Sequence, residues 1–166
     1  MESSAILTEL PRLRRYARAL VGNRAAADDL VQDTLERAWS RLAQWRVGSD
    51  LRAWLFGIMH NLRVDQLRRP GLNTLPMEDE EFEVPIRATQ TDRLELSDLE
   101  SSLARLPEEQ RAVLLLVALE EMSYEDVAST LEIPIGTVMS RLSRGRERLR
   151  LILQGRPPAV NLRVVR

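Results

Sequence analysis

The residues with the clearest chemistry in this sequence are five arginines that lie within ten residues near the carboxyl end. They are Arg141, Arg144, Arg146, Arg148 and Arg150. A guanidinium group presents a planar fork of donors that matches the oxygens of a phosphate. The range 137–156 holds six arginines and one glutamate, although the formal net charge of the whole chain is only -1. This local excess of positive charge indicates a polyanionic ligand.

The arginines lie on a predicted helix with two different faces. Apolar residues recur at spacings of three and four and predict a buried face, made of Ile135, Val138, Leu142, Gly145, Leu149 and Ile152. The midline of the opposite face consists of Gly136, Ser140, Ser143 and Arg144, with Met139 and Arg150 on one flank and Thr137, Arg141 and Arg148 on the other. Small side chains let a helix approach base edges in a major groove, and flanking guanidiniums reach phosphates.

A shorter helix is predicted directly before this one. Ser123, with Asp126 three residues later, resembles a capping box and places a helix start at Tyr124. The range 132–134 then forms a turn that ends at a proline. A short helix, a tight turn and a helix with a basic outward face predict a DNA-binding helix-turn-helix. The alternative is a solvated basic helix or a surface for an acidic partner.

The rest of the sequence also predicts helices. Apolar residues recur with a helical period at 6–21, 25–45 and 51–69, and no useful length alternates with period two. These segments predict a helical domain over 1–70. Helical patterns return at 94–106, 107–121, 124–131 and 134–153, which predicts a second helical domain over 94–156.

The stretch between these domains has no helical period. The range 71–93 contains two prolines and the acidic run MEDEEFE at 77–83. Its few aliphatic side chains do not offset a backbone entropy cost of about 1–2 kcal/mol per residue. We therefore predict an all-α protein of two small helical domains joined by a flexible acidic linker, followed by a loose tail over 157–166.

Composition argues against several functional classes. The sequence has no cysteine and a single histidine, His60, so we expect neither a metal site nor thiol chemistry. It also lacks a glycine-rich phosphate loop, and we expect no enzyme activity and no cofactor. The longest aliphatic run, 112–119, is too short for a bilayer, and the first residues lack a signal-peptide pattern. We therefore expect no membrane insertion and a cytoplasmic location.

Three motifs occur in order along the chain: DDLVQDTLERAW at 28–39, LRAWLFGIMHNLRVDQLRR at 51–69 and SYEDVASTLEIPIGTVMSRLSRGRERLR at 123–150. With these motifs, the sequence resembles the bacterial extracytoplasmic-function (ECF, group IV) RNA polymerase sigma factors. The resemblance implies a subunit that binds the polymerase core, directs it to specific promoters, melts the -10 element and initiates transcription. It also implies that the C-terminal helix-turn-helix reads the -35 element, and that an anti-sigma factor holds the protein inactive.

The resemblance assigns roles to residues motif by motif. It implies core polymerase binding by Asp29, Gln32, Asp33, Glu36 and Arg37. It implies -10 DNA binding by Trp45, Arg46, Arg52, Asn61 and Arg63, with Asn61 at a base edge and the arginines near phosphates. Trp45 either stacks on a base or belongs to the core. It implies -35 DNA binding by Thr137, Met139, Ser140, Arg141, Ser143, Arg144 and Arg146.

The sequence departs from the family pattern at two positions. Family members usually have a basic residue where Met139 stands, so we expect an altered -35 preference. They usually have glycine where Glu132 stands, in the turn of the helix-turn-helix. If that position requires a positive φ, glutamate costs about 1–2 kcal/mol, and we expect a remodelled turn.

Two other functions stay open from the sequence. A helix-turn-helix regulator that binds operators alone would be expected to dimerise, and no dimerisation segment is evident. A sigma-like decoy that binds an anti-sigma factor would not need the basic outward face. For the linker, the family suggests a path toward the RNA exit channel, where the acids at 78–83 imitate nucleic acid; simple solubility is the alternative.

Overall fold

The structure is a computed structural model that describes residues 2–46, 48–69 and 91–155. The described helices are α1 (Glu2–Thr8), α2 (Leu10–Val21), α3 (Arg24–Ser40), α4 (Leu51–Arg68), α5 (Thr91–Ala104), α6 (Glu108–Ala118), α7 (Tyr124–Leu131) and α8 (Ile135–Leu153). A single 3-10 turn, Leu42–Gln44, follows α3. Strands are absent from these ranges, which confirms the all-α prediction.

The chain divides into two compact units. The first contains α1–α4, and the second contains α5, α6, α8 and most of α7. Helix α5 begins at Thr91, three residues before the start predicted at 94. The rest of the predicted linker, up to residue 90, and the predicted tail lie outside the described residues.

In the first unit, α3 packs against both α2 and α4. The buried side chains that join these helices include Leu13, Leu30, Leu55 and Phe56, each at most 1% exposed. Full burial of such a side chain contributes about 1.5–3 kcal/mol relative to leaving it in water. This apolar centre leaves the polar faces of α3 and α4 available to ligands.

The ends of α2, α3 and α4 follow from local sequence. Gly22 ends α2 with a φ of 86°, in the left-handed region where glycine has no steric penalty. The Asn23 side chain accepts a hydrogen bond from the Ala26 N–H at 2.8 Å, which caps α3. Asp50 caps α4 in the same way, with the Ala53 N–H as donor. The helical segment predicted to end at residue 21 therefore does end there.

Two predicted helices in this unit were too long. The segment 6–21 forms two helices, α1 and α2, because Pro11 has no N–H to donate and occupies the first turn of α2. The segment 25–45 ends as an α-helix at Ser40, and the chain then tightens into the 3-10 turn. Residues 41–46 and 48–50 therefore lie between α3 and α4 without continuing either α-helix.

In the second unit, α8 packs against α6 and α5. The backbones come close at Gly145, where a Cβ atom would come within 3.4 Å of the Gln110 Cβ and 3.5 Å of its carbonyl oxygen. Val138, Leu142 and Gly145 are buried, as the helical period predicts. Ile135 was predicted on the same face, but it is 38% exposed because it is the first residue of α8.

Arg111 is the main polar connection between α5 and α6. It is only 9% exposed. Its guanidinium donates hydrogen bonds to the carbonyl oxygens of Leu103 at 2.8 Å, Ala104 at 3.2 Å and Leu106 at 2.7 Å. The first two carbonyls belong to the last turn of α5, where intrahelical donors run out, and the third lies in the turn that follows. A side chain from α6 thus satisfies the end of the preceding helix.

Glu132, in the turn between α7 and α8, adopts a left-handed backbone conformation with a φ of 59°. The expectation of a remodelled turn was therefore wrong, because the turn keeps the positive φ that a glycine would serve. The strain is retained by the contacts on both sides, where the Ile133 N–H donates to the Ala128 carbonyl at 3.0 Å and Pro134 starts the next helix.

Glu132→Gly is expected to raise the free energy of unfolding by about 1 kcal/mol, because glycine removes the Cβ clash of the left-handed conformation. Urea unfolding followed by circular dichroism measures the change. Glu132→Ala is the matched control, because it removes the same side chain but keeps the Cβ atom. An equal gain for the alanine variant would contradict the prediction.

Candidate nucleic-acid interface

The helix-turn-helix predicted from the sequence is present between residues 123 and 153. The Ser123 hydroxyl accepts a hydrogen bond from the Asp126 N–H at 3.0 Å, which confirms the predicted capping of α7. Three residues separate α7 from α8. The Pro134 carbonyl accepts hydrogen bonds from the N–H groups of Thr137 and Val138, which fixes the first turn of α8.

The outward face of α8 carries the residues that the sequence assigned to -35 DNA. Met139, Ser143, Arg144 and Arg146 are exposed, whereas Thr137, Ser140 and Arg141 are half-buried. None of the seven lies in the apolar core between α6 and α8. The seven residues thus lie on α8 outside its buried face, with Arg141 near Glu109 at one edge of that face and Arg146 near Tyr124 at the other.

The arginines of α8 differ in how much of their charge is already neutralised. Arg141 lies 3.8 Å from a carboxylate oxygen of Glu109. Arg150 donates a hydrogen bond of 2.6 Å to Glu147, and this hydrogen bond lowers the pKa of the Glu147 carboxyl. Arg144 and Arg146 have no ion-pair partner among the described residues. Arg148 likewise has no carboxylate partner in the described part of the chain, but it is half-buried, so the exposed Arg144 and Arg146 are the best placed of the group to bind phosphates or bases.

An acidic face runs along α3. The side chains of Asp29, Gln32, Asp33 and Glu36 are exposed, and Arg37 beside them is half-buried. Leu30, Val31 and Thr34 of the same helix are buried, so one side of α3 packs and the other faces solvent. This arrangement places the five residues assigned to polymerase on a single accessible surface.

Sequence reasoning missed a neighbour of this acidic face. Trp39 follows Glu36 by three residues and is 39% exposed, so an aromatic side chain extends the same surface by one turn. Its spacing from Glu36 could have revealed it. The family resemblance assigned only charged and amide residues to this surface.

The residues assigned to -10 DNA are distributed over α4 and the segment before it. Asn61 and Arg46 are exposed. Arg52 lies 3.4 Å from a carboxylate oxygen of Glu9, and Arg63 donates to the Gln66 side-chain oxygen at 3.1 Å. Arg52 and Arg63 therefore already have hydrogen-bond partners within the first unit, whereas Asn61 is exposed to solvent.

Trp45 packs beside Trp54. Their ring centroids are 6.3 Å apart with an interplanar angle of 38°, and both side chains are half-buried. The indole N–H of Trp45 is buried and has no hydrogen-bond acceptor within the described part of the chain. Stacking on a base would require this ring to leave part of its packing with Trp54, so the arrangement favours the core role for Trp45.

Within the described residues, no helix combines the length and apolar character needed to cross a membrane. The same residues hold no cluster of histidine, aspartate or glutamate that could bind a metal ion.

Comparisons with known proteins place both units in one family. The Sigma2 domain of PhyR matches residues 6–60, and Sigma-70, region 4 matches residues 96–149. The ECF RNA polymerase sigma factor EcfG of Rhodopseudomonas palustris (strain TIE-1) is 38% identical over 89% of this chain and 82% of its own length. The ECF RNA polymerase sigma factor SigE of Mycolicibacterium smegmatis is 34% identical over 84% of this chain and 56% of its own length.

Two solved structures of sigma factors or their relatives are similar to this chain over most of its length. The sigma factor RpoE from Bartonella quintana, in complex with the anti-sigma factor NepR, has a TM-score of 0.75 and 37% identity over 92% of this chain and 95% of its own. CnrH, in complex with the cytosolic domain of CnrY, has a TM-score of 0.68 and 28% identity over 92% of this chain and 86% of its own. With both halves matched in order and a relative that is 38% identical over most of both lengths, this chain belongs to the ECF RNA polymerase sigma factors.

Proposed function

We propose that this protein directs the core of a bacterial RNA polymerase to specific promoters and initiates transcription there. The observation that carries the proposal is the 38% identity to an ECF sigma factor over nearly the whole chain. The exposed basic face of α8 and the exposed acidic face of α3 supply two separate surfaces, one suited to DNA and one to a protein.

In this proposal the outward face of α8 reads the -35 element. The small side chains of Ser140 and Ser143 allow close approach to the base edges, and Arg144 and Arg146 are free to bind phosphate or guanine. The half-buried Thr137 and Arg141 lie at the edge of this face. Arg141 would approach a phosphate with Glu109 still beside it, so it adds little net charge to this face.

The first unit would open and hold the -10 element. Asn61 offers an amide that can both donate to and accept from an unpaired base, and Arg46 is exposed in the segment that precedes α4. Capturing unstacked bases costs a few kcal/mol per base, which contacts with the protein and the polymerase offset. The proposed activity therefore needs no catalytic chemistry from this chain, and it places the protein in the cytoplasm with the polymerase.

An anti-sigma factor is the third proposed partner. The Bartonella quintana relative is named in complex with the anti-sigma factor NepR, and a PhyR domain from Sphingomonas sp. Fr1 in complex with NepR shares 25% identity and a TM-score of 0.66. We propose that a protein of this class binds the present chain and keeps it from the polymerase. The match to PhyR makes a decoy the relevant second candidate, since PhyR is named as an anti-anti-sigma factor.

Reconstitution with core polymerase separates these functions. The purified protein is added to core enzyme with a library of promoter fragments, and promoter-specific transcripts are expected. Absence of transcripts together with tight binding to an anti-sigma factor would support the decoy. Absence of transcripts together with tight DNA binding by the protein alone would support a stand-alone regulator.

Asp33→Ala is expected to weaken binding to core polymerase about fivefold, because it removes an exposed carboxylate from the centre of the acidic face of α3. Titration of fluorescently labelled protein with core enzyme measures the change. Asp65→Ala is the matched control, since Asp65 is an exposed aspartate on α4. Equal weakening by both variants would contradict the role assigned to this face.

A further inference from the structure

Met139 is an apolar exception on the polar outward face of α8. Its side chain is 48% exposed, while the neighbouring Ser143 and Arg144 are polar and also exposed. Apolar area left in water at this position contributes nothing to the fold. The same area contributes favourable free energy as soon as an apolar group of a ligand covers it.

The surroundings of Met139 allow its side chain to move toward a ligand. It lines an open cleft of about 390 Å3 together with Tyr124, Leu142, Ser143 and Arg146. Ser143, one turn further along the helix, is too small to shield it. A thioether on an unbranched chain also adapts to irregular surfaces at little cost. Met139 can therefore reach past the helix surface without disturbing the packing below it.

Chemistry identifies the group that such a side chain would recognise. The major-groove edges of the bases offer hydrogen-bond donors and acceptors and a single kind of apolar group, the C5-methyl of thymine. The Met139 side chain has no donor and only a weak acceptor, so it cannot take the place of a base-reading arginine. An arginine at this position would favour the O6 and N7 atoms of guanine instead.

We propose that Met139 reads the methyl group of one thymine in the -35 element and so sets a base preference of this sigma factor. The inference rests on the proposed function, in which the outward face of α8 enters the major groove. Met139 then contributes specificity through a methyl contact, while Arg144 and Arg146 supply charge beside it.

The test replaces single thymines of the -35 element by deoxyuridine, which removes the methyl group and leaves every hydrogen-bonding atom in place. A -35 element is first selected from a randomised promoter library with polymerase that carries the wild-type protein. Binding of the same holoenzyme to each deoxyuridine-substituted promoter is then measured. One substitution is expected to weaken binding about fourfold, the effect of one buried methyl group.

Three variants isolate the contribution of Met139. In Met139→Ala the selected thymine and deoxyuridine promoters are expected to bind equally, because the side chain that covers the methyl is gone. Met139→Leu keeps an apolar side chain of similar size and is expected to retain the preference. Leu153→Ala is the matched control, since Leu153 is 50% exposed at the far end of the same helix, and it is expected to retain the full fourfold effect.

The outcomes separate this inference from the function on which it rests. If the protein yields no promoter-specific transcripts at all, the proposed function fails and the inference fails with it. If transcripts form but no deoxyuridine substitution weakens binding, Met139 does not read a methyl group and only the inference is overturned. A methyl effect that persists in Met139→Ala would assign the contact to another residue and would also overturn it.

Discussion

Arg111→Met is expected to lower the free energy of unfolding of the second unit by about 3 kcal/mol. Arg111 donates to two carbonyl oxygens in the last turn of α5 and to one in the turn that follows, and a methionine of similar length donates to none. Hydrogen bonds from a charged donor contribute about 1.5–3 kcal/mol each, but water reaches part of the exposed carbonyls after the substitution. The expected loss is therefore smaller than the sum of the three bonds.

The tryptophans make this prediction measurable within the intact chain. All three, Trp39, Trp45 and Trp54, lie in the first unit. Urea unfolding followed by tryptophan fluorescence therefore reports the first unit, while circular dichroism reports both. The unfolding of the second unit is seen by circular dichroism but not by fluorescence. Arg111→Met should shift this transition to a lower urea concentration.

Two further variants test the cause of the Arg111 effect. Arg111→Lys keeps the charge, but a single ammonium group cannot span three carbonyls, so it should recover only part of the stability. Arg105→Met is the matched control, because Arg105 is an exposed arginine in the turn after α5. Equal destabilisation by the Arg105 variant would show that general charge, and not the cap on α5, is responsible.

Arg144→Ala is expected to reduce binding of the holoenzyme to its -35 element by about 10- to 100-fold. This range equals about 1.4–2.7 kcal/mol and lies within the roughly 1–3 kcal/mol by which a bidentate contact discriminates a base. Arg144 is exposed on the outward face of α8 and has no carboxylate partner among the described residues, so its full charge is available to DNA.

Binding to promoter fragments with intact and scrambled -35 elements measures the Arg144 effect. If Arg144 reads a base, its substitution lowers the affinity for the intact element alone. If Arg144 binds a phosphate, its substitution lowers the affinity for both fragments equally. Arg105→Ala removes an arginine that lies outside α8 and should change neither. If the Arg144→Ala variant prefers the intact over the scrambled element as strongly as the wild-type protein does, Arg144 does not read a base.

The sequence predicted the helices that depend on local signals. The cap at Ser123 involves a residue three positions away, and the apolar period of α8 identifies the buried Val138 and Leu142. The break between α1 and α2 was missed, although Pro11 marks it, because the apolar period continues across it. Local patterns thus predict helices better than they predict interruptions within an amphipathic segment.

Contacts between distant residues could not be predicted in this way. Nothing in the sequence around Arg111 shows that its guanidinium binds the end of the preceding helix. The pairing of Arg52 with Glu9, which are 43 positions apart, is also invisible to any local pattern. The sequence therefore predicted the surfaces of the candidate site, but it did not show which of their charges are internally compensated.

This compensation affects how the affinity for DNA responds to salt. Each phosphate that a protein neutralises releases condensed cations from DNA and steepens the fall of log K with log salt concentration by about 0.9. Arg52 and Arg141 carry Glu9 and Glu109 beside them, so approaching DNA meets a nearly neutral pair at both positions. The affinity therefore falls less steeply with added salt than a count of the interfacial arginines suggests.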